Sequence, residues 1–230
     1  MKINKIALIG AGALGVLYGS RLTEAFGNER VYFIADQERT ARYKKTPFTC
    51  NGKICDFRYV EDTMKTKTVD LIIVAVKYTG IDQAVKSIRN FVGRETMIIS
   101  LLNGIASEEV IAEAFGQEHL LYCVAQGMDA VKEGSDVHYD NGGILLLGSQ
   151  DNTRTAPLQA VAKMLETADI PYKIPCDIHY CLWNKLMLNT GVNQTAAVFE
   201  TNYGGLQKEG EARDLMLKAM EEGRLTREFV

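Results

Sequence analysis

The chain has 230 residues, of which 47% are hydrophobic and 24% charged, with a net charge of -3. That balance is ordinary for a folded domain and gives no electrostatic reason to expect a nucleic-acid partner. Met1 to Ile9 is too poor in apolar residues, and too soon broken by glycine, to be a signal peptide or membrane span, so the reading is a cytoplasmic protein with its five cysteines reduced.

The first predicted element is a short apolar strand, Ile6-Ala7-Leu8-Ile9, running directly into Gly10-Ala11-Gly12-Ala13-Leu14-Gly15. An apolar helix pattern follows (Leu14, Leu17, Tyr18, Leu22). Gly-x-Gly-x-x-Gly between a buried strand and a helix is a dinucleotide-binding pattern. Gly10 permits the tight turn, Gly12 lets the backbone approach a pyrophosphate, and Gly15 lets the helix lie close to the sheet. The helix N-terminus offers free N–H groups and the positive end of its dipole to the phosphates. All six residues, Gly10 to Gly15, are therefore candidate cofactor-binding positions.

A second β-rich run spans Arg30 to Ala35 and ends at Asp36, followed by a charged helix over Gln37 to Lys45. Asn51-Gly52 between β-formers predicts a tight hairpin. Val69 to Val76 reads as a buried strand ending at Lys77, Ile81 to Val92 as a helix, and Met97 to Leu102 as a strand ending at Asn103-Gly104. Glu108 to Phe115 is helical, Leu120 to Ala125 and Gly143 to Leu147 are β-like, Ala156 to Leu165 is helical, and Ile170 to Ile174 is a short strand. This alternation predicts right-handed βαβ units and a parallel sheet, so residues 1–175 are read as an α/β, Rossmann-like dinucleotide-binding domain.

Beyond Pro175 the pattern holds helices only, Asp177 to Val192 and Leu206 to Gly223. Residues 176–230 are read as an all-helical substrate and catalytic domain. Its roughly 55 residues are few for an independent core. It is expected to be truncated, and to pack on the first domain, on a second copy in a homodimer, or on further sequence.

Ligands of open parallel sheets bind outside the carboxyl ends of the strands. Asp36, Lys77 and Asn103 fall there. An acid roughly 20 residues past the glycines is the expected ribose partner. Lys77 suits a pyrophosphate or ribose, and the Asn103 amide suits a nicotinamide or a substrate carbonyl. Each is equally an ordinary polar strand end. Arg39 and Arg42, one turn past Asp36, could hold a 2′-phosphate.

The second informative stretch is Cys181-Leu182-Trp183-Asn184-Lys185-Leu186-Met187-Leu188-Asn189-Thr190-Gly191-Val192-Asn193. Lys185, Asn189 and Asn193 are spaced four apart and share one helix face. Asn, Thr and Gly inside an apolar helix break local consistency, and such breaks mark functional sites. An ammonium aimed at a ketone oxygen stabilises developing negative charge and donates a proton, so the chemistry suggested is carbonyl reduction with a nicotinamide cofactor. His119, His138 and His179 are scattered, and neither a nucleophile motif nor a metal-ligand cluster is evident.

These residues resemble the ketopantoate reductase (2-dehydropantoate 2-reductase) family across essentially the whole chain. The resemblance rests on Ile9-Gly10-Ala11-Gly12-Ala13-Leu14-Gly15, Val74-Ala75-Val76-Lys77, Leu101-Leu102-Asn103-Gly104, and Trp183-Asn184-Lys185-Leu186 with Asn189 and Asn193. It implies NADPH-dependent reduction of 2-dehydropantoate, a small 2-oxo acid, to pantoate in pantothenate and coenzyme A biosynthesis. It further implies Lys185 as the catalytic lysine, with Asn103, Asn189 and Asn193 as active-site and substrate amides, and Lys77 as a cofactor ligand. Three features depart from the family. Asp36 stands where a basic residue usually holds the 2′-phosphate of NADP, Gln194 and Tyr203 replace residues of its Asn-Pro and Asn-Gly pairs, and the further helices carrying a serine and a glutamate lie beyond the sequence. NADP is the cofactor expected, with NAD as the alternative that Asp36 favours, and a related 2-oxo or 3-hydroxy acid reductase or a non-catalytic nucleotide-binding module as the alternative functions.

Overall fold

The computed structural model describes residues 2–64 and 68–228 of the chain, so Met1 and the expected last residues of the helical part, Phe229 and Val230, lie outside the described residues. The elements in chain order are β1 (Ile6–Ile9), α1 (Ala13–Phe26), β2 (Val31–Ala35), α2 (Gln37–Lys45), β3 (Thr49–Cys50), β4 (Lys53–Ile54), β5 (Arg58–Glu61), β6 (Leu71–Val74), α3 (Ile81–Ile88), β7 (Met97–Ser100) and α4 (Ala106–Phe115). They continue with β8 (Leu120–Met128), β9 (Val131–Glu133), β10 (Asp136–His138), β11 (Gly142–Gly148), α5 (Ala156–Thr167), β12 (Tyr172–Lys173), α6 (Ile178–Leu188), α7 (Gln194–Val198) and α8 (Glu211–Glu228).

The chain divides into two compact units. One comprises Met1–Leu102 with Ala106–Ile178, the other Asn103–Ile105 with His179–Val230. The first unit is built on an eight-stranded sheet of order β12-β11-β8-β7-β6-β1-β2-β5, parallel throughout except for the β8–β11 pair. β1, β2, β6 and β7 are buried along their whole lengths, which is why they read as continuous apolar runs with no alternation. Helices on both faces bury them. Leu8, Leu17, Leu22, Ile73 and Leu165 belong to one core layer, and Ala7, Ile34, Ile72, Ile88 and Ile98 to the other.

Register fixes where function can sit. Ile9 pairs with Ile34 of β2 on one side and Val74 of β6 on the other, so Gly10, Ala35 and Ala75 end on one edge. The chain leaves β1 toward β2 and later returns to β6 on the opposite side. β1 therefore flanks the topological switch point, and its carboxyl end opens on the ligand crevice of such sheets.

Several elements differ from the sequence reading. β6 covers Leu71–Val74 only, because Val69 N–H and Asp70 N–H bond to Phe91 O and Lys5 O outside the ladder. α3 ends at Ile88 and closes with a 3-10 turn, Arg89–Phe91, in place of running to Val92. β5 and the β9–β10 hairpin were not anticipated. β10 pairs parallel with β3, giving a small four-stranded sheet of order β4-β3-β10-β9. The Asn51-Gly52 hairpin forms as expected, with φ of 47° and 76° at its two central residues.

Candidate functional site

The loop after β1 is held by backbone-to-backbone packing that only glycine allows at two places. Gly10 has φ +99°, and a methyl there would lie 2.6 Å from the carbonyl carbon of Ala75. A methyl on Gly15 would lie 2.0 Å from Gly10 O, because α1 begins almost on top of the turn. Gly12 is different. Its backbone is extended, it is exposed, and a methyl would find only Ala75 O, at 3.7 Å. The outer side of Gly12 is thus open to approach. Gly12 caps α1 without a side-chain acceptor for the first-turn N–H groups. Fourteen residues of helix stand behind that N-terminus, so the cradle fits an anionic pyrophosphate. Ala11 and Leu14 turn their side chains toward the core and Ala13 is half-buried, so these three positions offer backbone to a ligand.

At the end of β2, Asp36 is the N-cap of α2. Its Oδ1 accepts from Arg39 N–H at 2.7 Å, and its Oδ2 lies 3.4 Å from Arg39 Nη1. The predicted ribose partner therefore has a structural job as well, and the predicted cofactor residue Arg39 offsets its charge. Both side chains are about half exposed, so the pair itself contributes little to stability. Lys77 is exposed three residues past β6, where it caps the 3-10 turn Tyr78–Gly80.

Asn103 is exposed three residues past β7. The residues flanking it in sequence form a buried network that sequence reasoning missed. Leu102 N–H donates to Ser100 Oγ at 3.2 Å, Ser100 Oγ is 2.8 Å from Ser107 Oγ, and Ser107 O–H donates to Glu108 Oε2 at 2.8 Å. Ser100, Ser107 and Glu108 are each at most 2% exposed. They link the end of β7 to the start of α4 within the sheet unit. A signal was present in two serines flanking Asn-Gly and an acid at a helix start, but only the fold brings them together. Asn103–Ile105 themselves group with the helical unit, the unit that also holds Lys185, Asn189 and Asn193.

The helical stretch expected to run from Asp177 to Val192 is not one α-helix. α6 ends at Leu188, and Asn189–Asn193 forms a π-helical turn before α7 begins. Thr190 and Gly191 resist regular helix, and Gly191 is pressed against α8. A methyl there would lie 2.2 Å from Met220 Cγ and 3.1 Å from Met216 O. The wider turn keeps the amides together all the same. Asn193 Nδ2–H donates to Asn189 Oδ1 at 3.0 Å, and Tyr203 O–H donates to Asn193 Oδ1 at 2.5 Å. Lys185 is half-buried one turn before Asn189, beside buried Leu182 and half-buried Trp183 and Leu186. Tyr203 was visible in the sequence as a departure, not as a member of this polar row. Among the described residues no group of three or more His, Cys, Asp or Glu could hold a metal ion, and no helix is long and apolar enough to cross a membrane.

The glycine cradle at the switch point of a largely parallel sheet, followed by a helical unit, defines a Rossmann-like α/β protein with a helical C-terminal part. The ketopantoate reductase PanE/ApbA model matches residues 6–152, and the model of that family's C-terminal region matches residues 177–224. The chain belongs to the ketopantoate reductase family. Among curated relatives it is similar to 2-dehydropantoate 2-reductase of Streptococcus pyogenes serotype M1, 23% identical over 204 residues, covering 87% of this chain. The chain spans 66% of the length of that relative. In fold it is similar to the crystal structure of 2-dehydropantoate 2-reductase from Geobacter metallireducens GS-15, with TM-score 0.81 and 24% identity, covering 95% of this chain and 73% of the other. It is similarly close to D-mandelate dehydrogenase in complex with NADH, with TM-score 0.82 and 23% identity, covering 95% and 71%.

Proposed function

We propose that the chain belongs to a cytoplasmic NADPH-dependent reductase that converts 2-dehydropantoate to pantoate, the step feeding pantothenate and coenzyme A synthesis. The observation that carries this reading is the polar row on the helical unit, in which Lys185 precedes Asn189, Asn193 and Tyr203 and the last three are joined by hydrogen bonds. When bound, the reduced nicotinamide supplies a hydride to the substrate's carbonyl carbon. Residues 1–175 hold the dinucleotide, with the backbone of Gly10 to Gly15 on the pyrophosphate and Lys77 and Arg39 on its charged groups. Residues 176–230 handle the 2-oxo acid. The Lys185 ammonium points an N–H at the carbonyl oxygen, stabilises the charge that grows there, and donates the proton that makes the hydroxyl. Asn189 and Asn193 hold the acid's oxygens through neutral amides, which adds no charge to compete with the ammonium. Asn103 orients the carbonyl or the nicotinamide amide.

For the cofactor, NADP is proposed because Arg39 already neutralises Asp36 and Arg42 follows one turn later. Asp36 at the end of β2 is the observation that favours NAD, whose ribose 2′-OH it would accept. A second substrate reading, reduction of a related small 2-oxo acid, is favoured by Tyr203, which sets an aromatic ring directly on the amide row. The test is Lys185→Ala in the full protein. Turnover should fall by about a hundredfold or more, the range of a lost general acid, while dinucleotide affinity is unchanged. Full turnover in that variant would remove Lys185 from the mechanism.

A further inference from the structure

The β3–β4 hairpin carries two cysteines on one buried face. Cys50 pairs with Lys53 across the Asn51-Gly52 turn, and Cys55 N–H donates to Phe48 O at 2.9 Å, which extends the ladder by one pair. By strand alternation Phe48, Cys50, Lys53 and Cys55 share a side, and Phe48, Cys50 and Cys55 are respectively 3%, 5% and 9% exposed. Cys50 and Cys55 are thus diagonal cross-strand neighbours, packed with Val16 of α1 and Val137 of β10 and touching Ala11 of the glycine loop.

The two sulfurs are unequal. The neighbouring Cys55 thiol, the Ser20 hydroxyl of α1 and the nearby Arg21 guanidinium favour charge on Cys50. Together these lower the Cys50 thiol from its ordinary value against the opposing effect of burial. The neighbouring Cys50 sulfur, together with burial, pushes Cys55 upward. Its other neighbour is Lys53 O, at 4.0 Å, the outer reach of a sulfur donor. An acidified thiol beside a protonated one is the arrangement of a nucleophilic and a resolving cysteine.

The pair is approached from the Cys55 side. Cys55 lines a surface groove of about 550 Å³, together with Tyr43, Ile54, Phe57 and Tyr59, wide enough for a molecule the size of a hydroperoxide. Of the other cysteines, Cys123 is buried elsewhere in the sheet core, Cys181 is half-buried and Cys176 is exposed at the end of the strand region.

We propose that Cys50 and Cys55 form an oxidisable dithiol that a hydroperoxide converts to an intramolecular disulfide beneath the glycine loop. With hydrogen peroxide, the Cys50 thiolate attacks one peroxide oxygen, the O–O bond breaks, and hydroxide leaves with the proton that the thiol gave up, as water. The resulting sulfenic acid on Cys50 is attacked by the Cys55 sulfur, the S–S bond forms, the S–O bond breaks, and the Cys55 proton leaves with the hydroxyl as a second water. Two thiols are oxidised and one hydroperoxide is reduced, and a small dithiol reverses the change by exchange. This proposal is independent of the catalytic reading above.

Trypsin supplies the readout, because Lys53 lies between the two cysteines. Cleavage after Lys45, Lys53 and Arg58 separates peptide 46–53 from peptide 54–58 unless a disulfide joins them. The native protein is treated with hydrogen peroxide, alkylated with N-ethylmaleimide, digested without reductant and mapped by mass. The joined peptide pair is expected to form before Cys176 is oxidised, and to vanish when dithiothreitol is added before alkylation. In Cys55→Ser the sulfenic acid on Cys50 should persist and be trapped by dimedone. Both cysteines alkylated in separate peptides while Cys176 oxidises would overturn the proposal, as would oxidation of the pair that needs urea to open the fold.

Discussion

Gly12 and Gly15 lie three residues apart in one motif, yet the structure assigns them different costs. In Gly15→Ala the new methyl would sit 2.0 Å from Gly10 O, against the 3.4 Å at which ordinary contact begins. Either α1 or the turn must retreat by about 1.4 Å, and neither is a flexible side-chain tip. Overpacking against backbone costs about 1–3 kcal/mol, and it moves the carbonyl that shapes the cradle. In Gly12→Ala the methyl meets only Ala75 O at 3.7 Å and the backbone is already extended. A lower unfolded-state entropy and a poorer N-cap act in opposite directions there, so stability should change by less than about 1 kcal/mol. The same methyl occupies the face a pyrophosphate must approach, and dinucleotide affinity should fall by about tenfold or more, or 1.4 kcal/mol. Urea unfolding of both variants, with dinucleotide titration alongside, separates the effects. Gly15→Ala should lower the urea midpoint at unchanged slope, and Gly12→Ala should lose binding with its midpoint retained. A Gly12→Ala protein that binds NADPH and NADH as tightly as the parent would refute the cradle.

Two further variants probe the edges of the same site. Asp36→Ala removes the cap on Arg39 N–H and should cost about 1 kcal/mol in urea, while the ratio of NADPH to NADH affinity rises because the carboxylate near the ribose is gone. An unchanged ratio would leave Asp36 as a cap alone. Gly191→Ala places a methyl 2.2 Å from Met220 Cγ. It should destabilise the protein by about 1–3 kcal/mol, and should lower turnover more than dinucleotide affinity, because the π-turn amides move with it. Turnover that survives the full loss of stability would separate the turn's shape from its use.

Much of this architecture could be read from apolar runs. Ile6–Ile9, Val31–Ala35, Leu71–Val74 and Met97–Ser100 are buried on both faces, and nothing but a parallel sheet covered by helices accommodates four such runs. The elements that escaped are short and polar. β9 is exposed throughout and β10 buries only Val137, so neither carries a period, and the pairing of β10 with β3 spans more than eighty positions of chain. The Asn-Thr-Gly-Val-Asn sequence announced a disturbed helix, but not the close packing of Gly191 on Met216 and Met220 of a helix two elements on. Asp36 followed by Gln-Glu-Arg was legible as a cap and was read as a ligand, since position after a strand suggested the second role more loudly. The serines on either side of Asn103-Gly104 were visible one by one, but the contact that joins them across the end of β7 is made only by the fold.

The most direct measurement of the central proposal follows the absorbance of reduced nicotinamide when the purified chain is mixed with 2-dehydropantoate, NADPH and NADH being tried in parallel. Steady consumption of NADPH, faster than that of NADH and matched mole for mole by pantoate, is the predicted result. Tight NADPH binding with no consumption in the presence of the 2-oxo acid would contradict it, and would leave this chain a nucleotide-binding module.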